Sequence, residues 1–183
     1  MSGATDPHSR ICSNIHFHTR LRLAGRDCVV HQAEMKVGAA QRRGFAYPDI
    51  AMVRGKGQFF DAVQDVLMNP SVIFEVLSDS TRAFDLTNKL VEYQKLDSLR
   101  HYVAVEQKSR ILYHWSRGTA EKWGYETLDA PAAVLALTAL KIALPLAEIY
   151  ERIARPTKRR KTASSQTKAP APTLPAPAEP SPP

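Results

Sequence analysis

Asp49, Glu75, Asp85 and Lys89 have the residue types and the order that metal-assisted phosphodiester hydrolysis uses. Glu75 is the most telling of them. It interrupts Val72-Ile73-Phe74-Glu75-Val76-Leu77, a run of β-formers bounded by Asn69-Pro70 before and Ser78-Asp79-Ser80 after, which reads as a buried strand. An ionised carboxylate is rarely buried without compensation, because desolvating it costs several kcal/mol. The glutamate therefore implies a partner: a metal ion, a lysine or an arginine. The alternative is a salt-bridged glutamate near the strand end, or one that faces water. Asp49 follows Tyr47-Pro48 and precedes the apolar Ile50-Ala51-Met52-Val53. Asp85 and Lys89 lie one helical turn apart on one face, with Glu92 continuing it. Two carboxylates from adjacent strands suit Mg²⁺ or Mn²⁺, which prefer oxygen ligands and keep several waters. A nearby lysine can orient a metal-bound water and stabilise the charge of the transition state at phosphorus.

Each piece alone has a plainer reading. Asp49 after a proline suits a turn, and Lys89 a solvated helix face. Asp85 with Lys89 suits an ordinary ion pair worth a few tenths of a kcal/mol. Their order, and their shared place around one strand, carry the argument.

Elements that would position these residues follow from the local patterning. His8 to Leu23 reads as a helix with Ile11, Cys12 and Ile15 on one face and Gly25 past its end. Cys28 to Gln32 and Met35 to Val37 read as strands. Phe45 to Val53 reads as another, and Pro48 within it marks an edge, a bulge or a strand start. Gly55 to Asn69 reads as a loop with a helical turn. Leu86, Leu90 and Tyr93 recur at helical spacing within Phe84 to Leu96, a helix that Asp79, Ser80 or Thr81 would cap. His101 to Gln107 and Arg110 to Ser116 suggest a hairpin. Thr119 to Leu140 fits more than one pattern. Pro145 to Ile153 reads as a closing helix with Pro145 in its first turn. This order predicts an α/β domain over 8–154, built on one mixed β-sheet flanked by helices.

The chain has 183 residues and a net charge of +7, 44% of it hydrophobic, which suits one domain. From Pro156 onward Lys158, Arg159, Arg160, Lys161 and Lys168 face only Glu179, so this tail carries a net charge of +4 out of the chain's +7. It holds eight of the 13 prolines and one large apolar residue, Leu174, and is expected to be disordered. The body is only mildly basic, which is weak evidence for nucleic-acid binding. No apolar stretch reaches the ~20 residues of a membrane helix. The N-terminus lacks the apolar core of a signal peptide. The expectation is a cytoplasmic protein with Cys12 and Cys28 as thiols. His16 and His18 do not share a helix face, which argues against a two-histidine metal site. Tyr113, Trp115 and Trp123 suit core packing better than base stacking. Arg42, Arg43, Arg54 and Lys56 flank the Asp49 strand and are candidate phosphate contacts.

Several of these segments together resemble the Uma-two family, within the PD-(D/E)xK restriction-endonuclease-like superfamily. Pro48-Asp49, then Glu75-Val76-Leu77-Ser78-Asp79-Ser80-Thr81, then Asp85-Leu86-Thr87-Asn88-Lys89 with Tyr93 carry the likeness. His8-Ser9-Arg10-Ile11 with Asn14 is similar to the family's early helix. Leu99 to Tyr102 and Leu144-Pro145-Leu146 with Glu148-Ile149-Tyr150 extend the match to Ile153. The resemblance implies a restriction-endonuclease-like fold and a metal-dependent endonuclease acting on DNA. Asp49 and Glu75 would be the carboxylates for Mg²⁺ or Mn²⁺, with Lys89 assisting and Asp85 in support. The superfamily's usual lysine position, two residues after the second acid, is Leu77 here, so the resemblance implies a lysine moved to the next helix. It also implies a further helix and hairpin ahead of His8, with another acid; the chain is expected to lack them, and Glu34 is the nearest substitute. A homodimer would suit cutting of both strands. The competing expectation is a truncated, inactive copy of the fold that binds nucleic acid or protein.

Overall fold

The structure, a computed structural model, describes residues 4–38 and 44–154. The proline-rich tail, Arg42 and Arg43 lie outside the described residues.

Helix α1 spans Asp6–Leu23. The Thr5 side chain accepts the His8 N–H, Pro7 sits in the first turn, and Asp6 pairs with Arg10 one turn on. Ile11, Ile15, Thr19 and Leu23 recur every four residues and are the buried face. Each isoleucine is fully buried, worth roughly 1.5–3 kcal/mol relative to exposure. Thr19 satisfies its hydroxyl on the Ile15 carbonyl, so the stripe carries no unpaired polar group.

The main sheet has six strands in the order β1-β4-β6-β7-β8-β9. They are β1 Cys28–Gln32, β4 Ile50–Arg54, β6 Val72–Leu77, β7 His101–Glu106, β8 Leu112–Arg117 and β9 Trp123–Leu128. β6 and β7 are parallel and every other pair is antiparallel, so the sheet is mixed as expected. Two small sheets flank it. One joins β3 Phe45–Ala46, β2 Lys36–Gly38 and β5 Val66–Leu67. The other joins β10 Val134–Leu137 to β11 Ile142–Pro145.

All six residues of β6 are buried, because helices cover both of its faces. Val72, Phe74 and Val76 join the core that α1 closes, with Ile50 and Met52 from β4 and Val103 and Val105 from β7. Ile73 and Leu77 join a second core, with Ala51, Val53, Tyr102, Ala104, Leu90 and Tyr93. Alternation puts Glu75 on this second face.

The crossover from β6 to β7 contains α2 Arg82–Phe84, a π-helical turn Asp85–Lys89 and α3 Leu90–Gln94. The expected helix over Phe84 to Leu96 is thus displaced toward the N-terminus and widened in its middle. Thr81, one of the expected caps, takes the N-cap position without a capping side-chain bond, and Ser78 Oγ accepts the Thr81 N–H just ahead of the helix. The expected strand over Phe45 to Val53 divides into β3 and β4, because Pro48 offers no ladder donor. The stretch from Gly55 to Asn69 holds β5 in place of a helical turn. Pro145 ends β11, and the closing helix α4 is only Leu146–Ile149, though Ile149, Tyr150 and Ile153 point inward as expected. The hairpin of β7 and β8 forms as read, and β9 extends it. Trp115 and Trp123 pack against the second core.

Candidate active site

Glu75 is buried to 3% exposure, and its compensation is a lysine. Lys89 Nζ lies 2.8 Å from Glu75 Oε1 and 3.3 Å from Asp85 Oδ1. Asp85 is as buried as Glu75. The i,i+4 spacing of Asp85 and Lys89 brings both over the strand. Tyr93, one turn beyond Lys89, donates its hydroxyl to Glu75 Oε1 at 3.4 Å. Tyr102 on β7 donates its hydroxyl to the Asp85 carbonyl at 2.7 Å and so holds the π-helical turn against the sheet. Such widened turns recur at functional sites, because they re-aim side chains that a regular helix would point elsewhere.

Asp49 stands just before β4. Ile50 pairs with Phe74, so Asp49 lies one step further on, at the level of Glu75. Its Oδ2 accepts the Val76 N–H at 2.7 Å, which fixes the carboxylate beside the second acid. Its Oδ1 lies 3.2 Å from His8 Nε2, and His8 Nδ1 lies 3.7 Å from Cys12 Sγ. A cavity of about 830 Å³ opens over His8, Cys12 and Asp49, with Glu34 and His31 also on its wall.

The electrostatics follow from burial and from these neighbours. Burial raises the Glu75 carboxyl, with the pull of Lys89 opposing the rise and the Asp49 charge adding to it. Burial lowers Lys89, but the Glu75 and Asp85 carboxylates outweigh it and hold the ammonium above its ordinary range. The hydrogen bond to Asp49 raises His8 despite partial burial. Burial, together with Asp49 and Glu75, pushes the Cys12 thiol well up.

The structure thus brings together Asp49, Glu75, Asp85 and Lys89. Glu92 departs from the expected face and pairs with Lys95 at the surface. Arg54 sits at the far end of β4, opposite Cys28, about 16 Å of strand from Asp49, and Lys56 lies beyond it. Neither touches this centre, so any contact they make with a phosphate backbone lies away from the carboxylates. His8, which meets Asp49, and Cys12, which meets His8, are neighbours of the centre that the sequence did not single out. The signal was there in their i,i+4 spacing at the start of α1, but nothing local shows which strand end that turn meets.

Oxygen donors from two carboxylates, one of them buried next to an ammonium, fit a hard divalent cation. Asp49 and Glu75 are the residues that would hold it.

The chain matches a family model, Uma2, described as "Putative restriction endonuclease", over residues 1–147. An uncharacterized protein of Synechocystis is 26% identical over 142 residues, covering 78% of this chain and 80% of that protein. A crystal structure from Anabaena variabilis, described as a "putative nuclease belonging to DUF820", superposes with a TM-score of 0.67 at 13% identity. It covers 80% of this chain and 82% of the other, and so shares the fold.

Proposed function

The chain belongs to the Uma2 family, and from that premise we propose that it is a divalent-metal-dependent endonuclease that hydrolyses DNA phosphodiester bonds. The observation that carries the reading is the buried pair of Glu75 and Lys89, 2.8 Å apart beside Asp49. A purely structural ion pair has no need of a second carboxylate at the same strand level, since each added negative charge makes burial costlier.

Asp49 and Glu75 hold Mg²⁺ or Mn²⁺ in this reading. When bound, the cation lowers the pKa of water and neutralises charge on the phosphate. Asp49 is oriented for this by the Val76 N–H and Glu75 by the Tyr93 hydroxyl. Lys89 supplies a fixed positive charge where the phosphate gains negative charge and orients the attacking water. Asp85 keeps that ammonium charged and aimed. The burial of Glu75 and Asp85 keeps bulk water from screening these charges. Cutting both strands would take two such centres, hence a homodimer on the substrate.

Incubation of supercoiled plasmid with the purified protein in Mg²⁺ or Mn²⁺ tests the proposal. Nicking that stops with a chelator and is missing from a folded Glu75→Ala protein supports it. Cleavage that survives either treatment rules it out.

A further inference from the structure

Cys12 has no part in the reaction proposed above, yet it stands at the same centre. It lies one turn after His8 on α1, and this i,i+4 spacing puts two ligating side chains on one helix face. Asp49 joins them from another element. One imidazole nitrogen, the Cys12 sulfur and one carboxylate oxygen all lie within 4.8 Å of one another.

We infer that His8, Cys12 and Asp49 form a second cation site, one that takes a thiophilic divalent ion such as Zn²⁺ and engages Asp49 when filled.

The donor set decides the class of ion. A thiolate, a neutral imidazole and a carboxylate together carry two negative charges, which matches a divalent cation. Thiolate and imidazole select Zn²⁺ or Co²⁺ over Mg²⁺, which prefers oxygen alone. The spacing agrees. Tetrahedral Zn²⁺ with sulfur and nitrogen at ordinary bond lengths sets those two atoms about 3.5 Å apart. Cys12 Sγ and His8 Nδ1 are 3.7 Å apart here, while Asp49 Oδ1 faces the other ring nitrogen, Nε2, at 3.2 Å, so filling the site turns the His8 ring or the carboxylate to bring all three donors onto one ion. Asp49 is already oriented, because its other oxygen accepts the Val76 N–H. The three side chains lie on the wall of the 830 Å³ cavity, which leaves room for water as a fourth ligand. Binding releases the thiol proton to solvent, with no change of oxidation state.

The consequence is competition. Asp49 belongs both to this site and, if the proposed function holds, to the Mg²⁺ site with Glu75. A thiophilic ion bound at His8 and Cys12 draws Asp49 away from the second carboxylate. Zn²⁺ is then an antagonist of the centre where Mg²⁺ is its activator.

The test reads ligation directly and is independent of cleavage. Metal-free protein is titrated with Co²⁺ while the sulfur-to-cobalt charge-transfer absorption is followed. The chain has two cysteines, so each serves as the other's control. One equivalent of Co²⁺ should give the band in the wild type and in Cys28→Ser, and Cys12→Ser should lose it. Absence of the band in the wild type, or its survival in Cys12→Ser, overturns the inference. X-ray absorption at the zinc edge of the wild type needs no substitution. It should find one sulfur at about 2.3 Å among nitrogen and oxygen ligands. A first shell with no sulfur, or with two, overturns the site.

Discussion

Lys89 Nζ sits 2.8 Å from Glu75 Oε1 although the two stand on different elements, one on a strand and the other on the π-helical turn that follows it. In the superfamily pattern the strand itself supplies the lysine, from the position that Leu77 fills here. Leu77 is 3% exposed and packs in the second core, so a lysine there would displace apolar contacts. Delivery from the crossover keeps that core intact and still sets the ammonium against the acid.

Substituting one partner of this pair should cost stability. Lys89→Met leaves the buried Glu75 and Asp85 without their cation, and the expected loss is about 3 kcal/mol. Glu75→Gln with Lys89→Met should lose less than the two single changes added together. Urea unfolding of the four proteins measures the coupling. Strict additivity would show that the pair does not interact.

Tyr102→Phe should loosen the π-helical turn without touching Asp49 or Glu75. Its hydroxyl is the donor to the buried Asp85 carbonyl, and removing it costs about 1–3 kcal/mol of desolvated acceptor. The expected signature is faster amide hydrogen exchange confined to Asp85 to Leu90. An unchanged exchange pattern would mean that helix packing alone holds the turn.

Acid should destabilise the fold through His101. Its Nε2 accepts the Ala139 N–H at 3.2 Å, so its proton sits on Nδ1, which donates to His114 Nε2 at 2.9 Å. His114 Nδ1 in turn donates to Glu126 at 2.8 Å. Burial, and then the neighbouring His114, lower His101 to about 4. Its pKa is depressed on folding, so below its unfolded value near 6.5 the unfolded chain takes up a proton that the folded chain refuses. Stability should fall as pH drops from about 6.5 to 4, by up to about 3 kcal/mol from this residue. His101→Gln should flatten that limb in denaturation experiments run across the range. An equally steep limb in the variant would assign it to other groups.

Ile15→Ala should act on α1 as a whole. The side chain is fully buried against the sheet, and the cavity left behind should cost about 2–5 kcal/mol. Thermal unfolding of the purified variant measures it. A loss under 1 kcal/mol would mean that α1 is weakly docked and cannot hold His8 against Asp49.

Much of this centre was legible in the sequence because its signals are local. A charge inside an apolar run marks Glu75 and its burial. Spacing of four marks Asp85 with Lys89, and Pro48 marks the break before Asp49. Long-range pairing was not legible. β10 and β11 pair through a sharp turn that includes Lys141 at φ 52°, and the segment before it carries no alternation decisive enough to expose the pairing. Val66 and Leu67 are too short a run to announce β5, which exists because it pairs with β2. The widened turn at Asp85 has no sequence signature of its own. Its tertiary partner, the Tyr102 hydroxyl, comes from a strand beyond it in the chain. His8 and Cys12 were hidden for the same reason: only the tertiary fold sets the first turns of α1 against the start of β4.

The role of Lys89 is tested by single-turnover cleavage of plasmid DNA by wild-type protein and Lys89→Met in saturating Mg²⁺, with folding verified by circular dichroism. The folded variant should cleave at least about 100-fold more slowly, because it lacks the fixed charge proposed to act at the phosphate. Cleavage within about threefold of wild type would contradict that role, since a charge worth less than 1 kcal/mol at the transition state is not part of the chemistry.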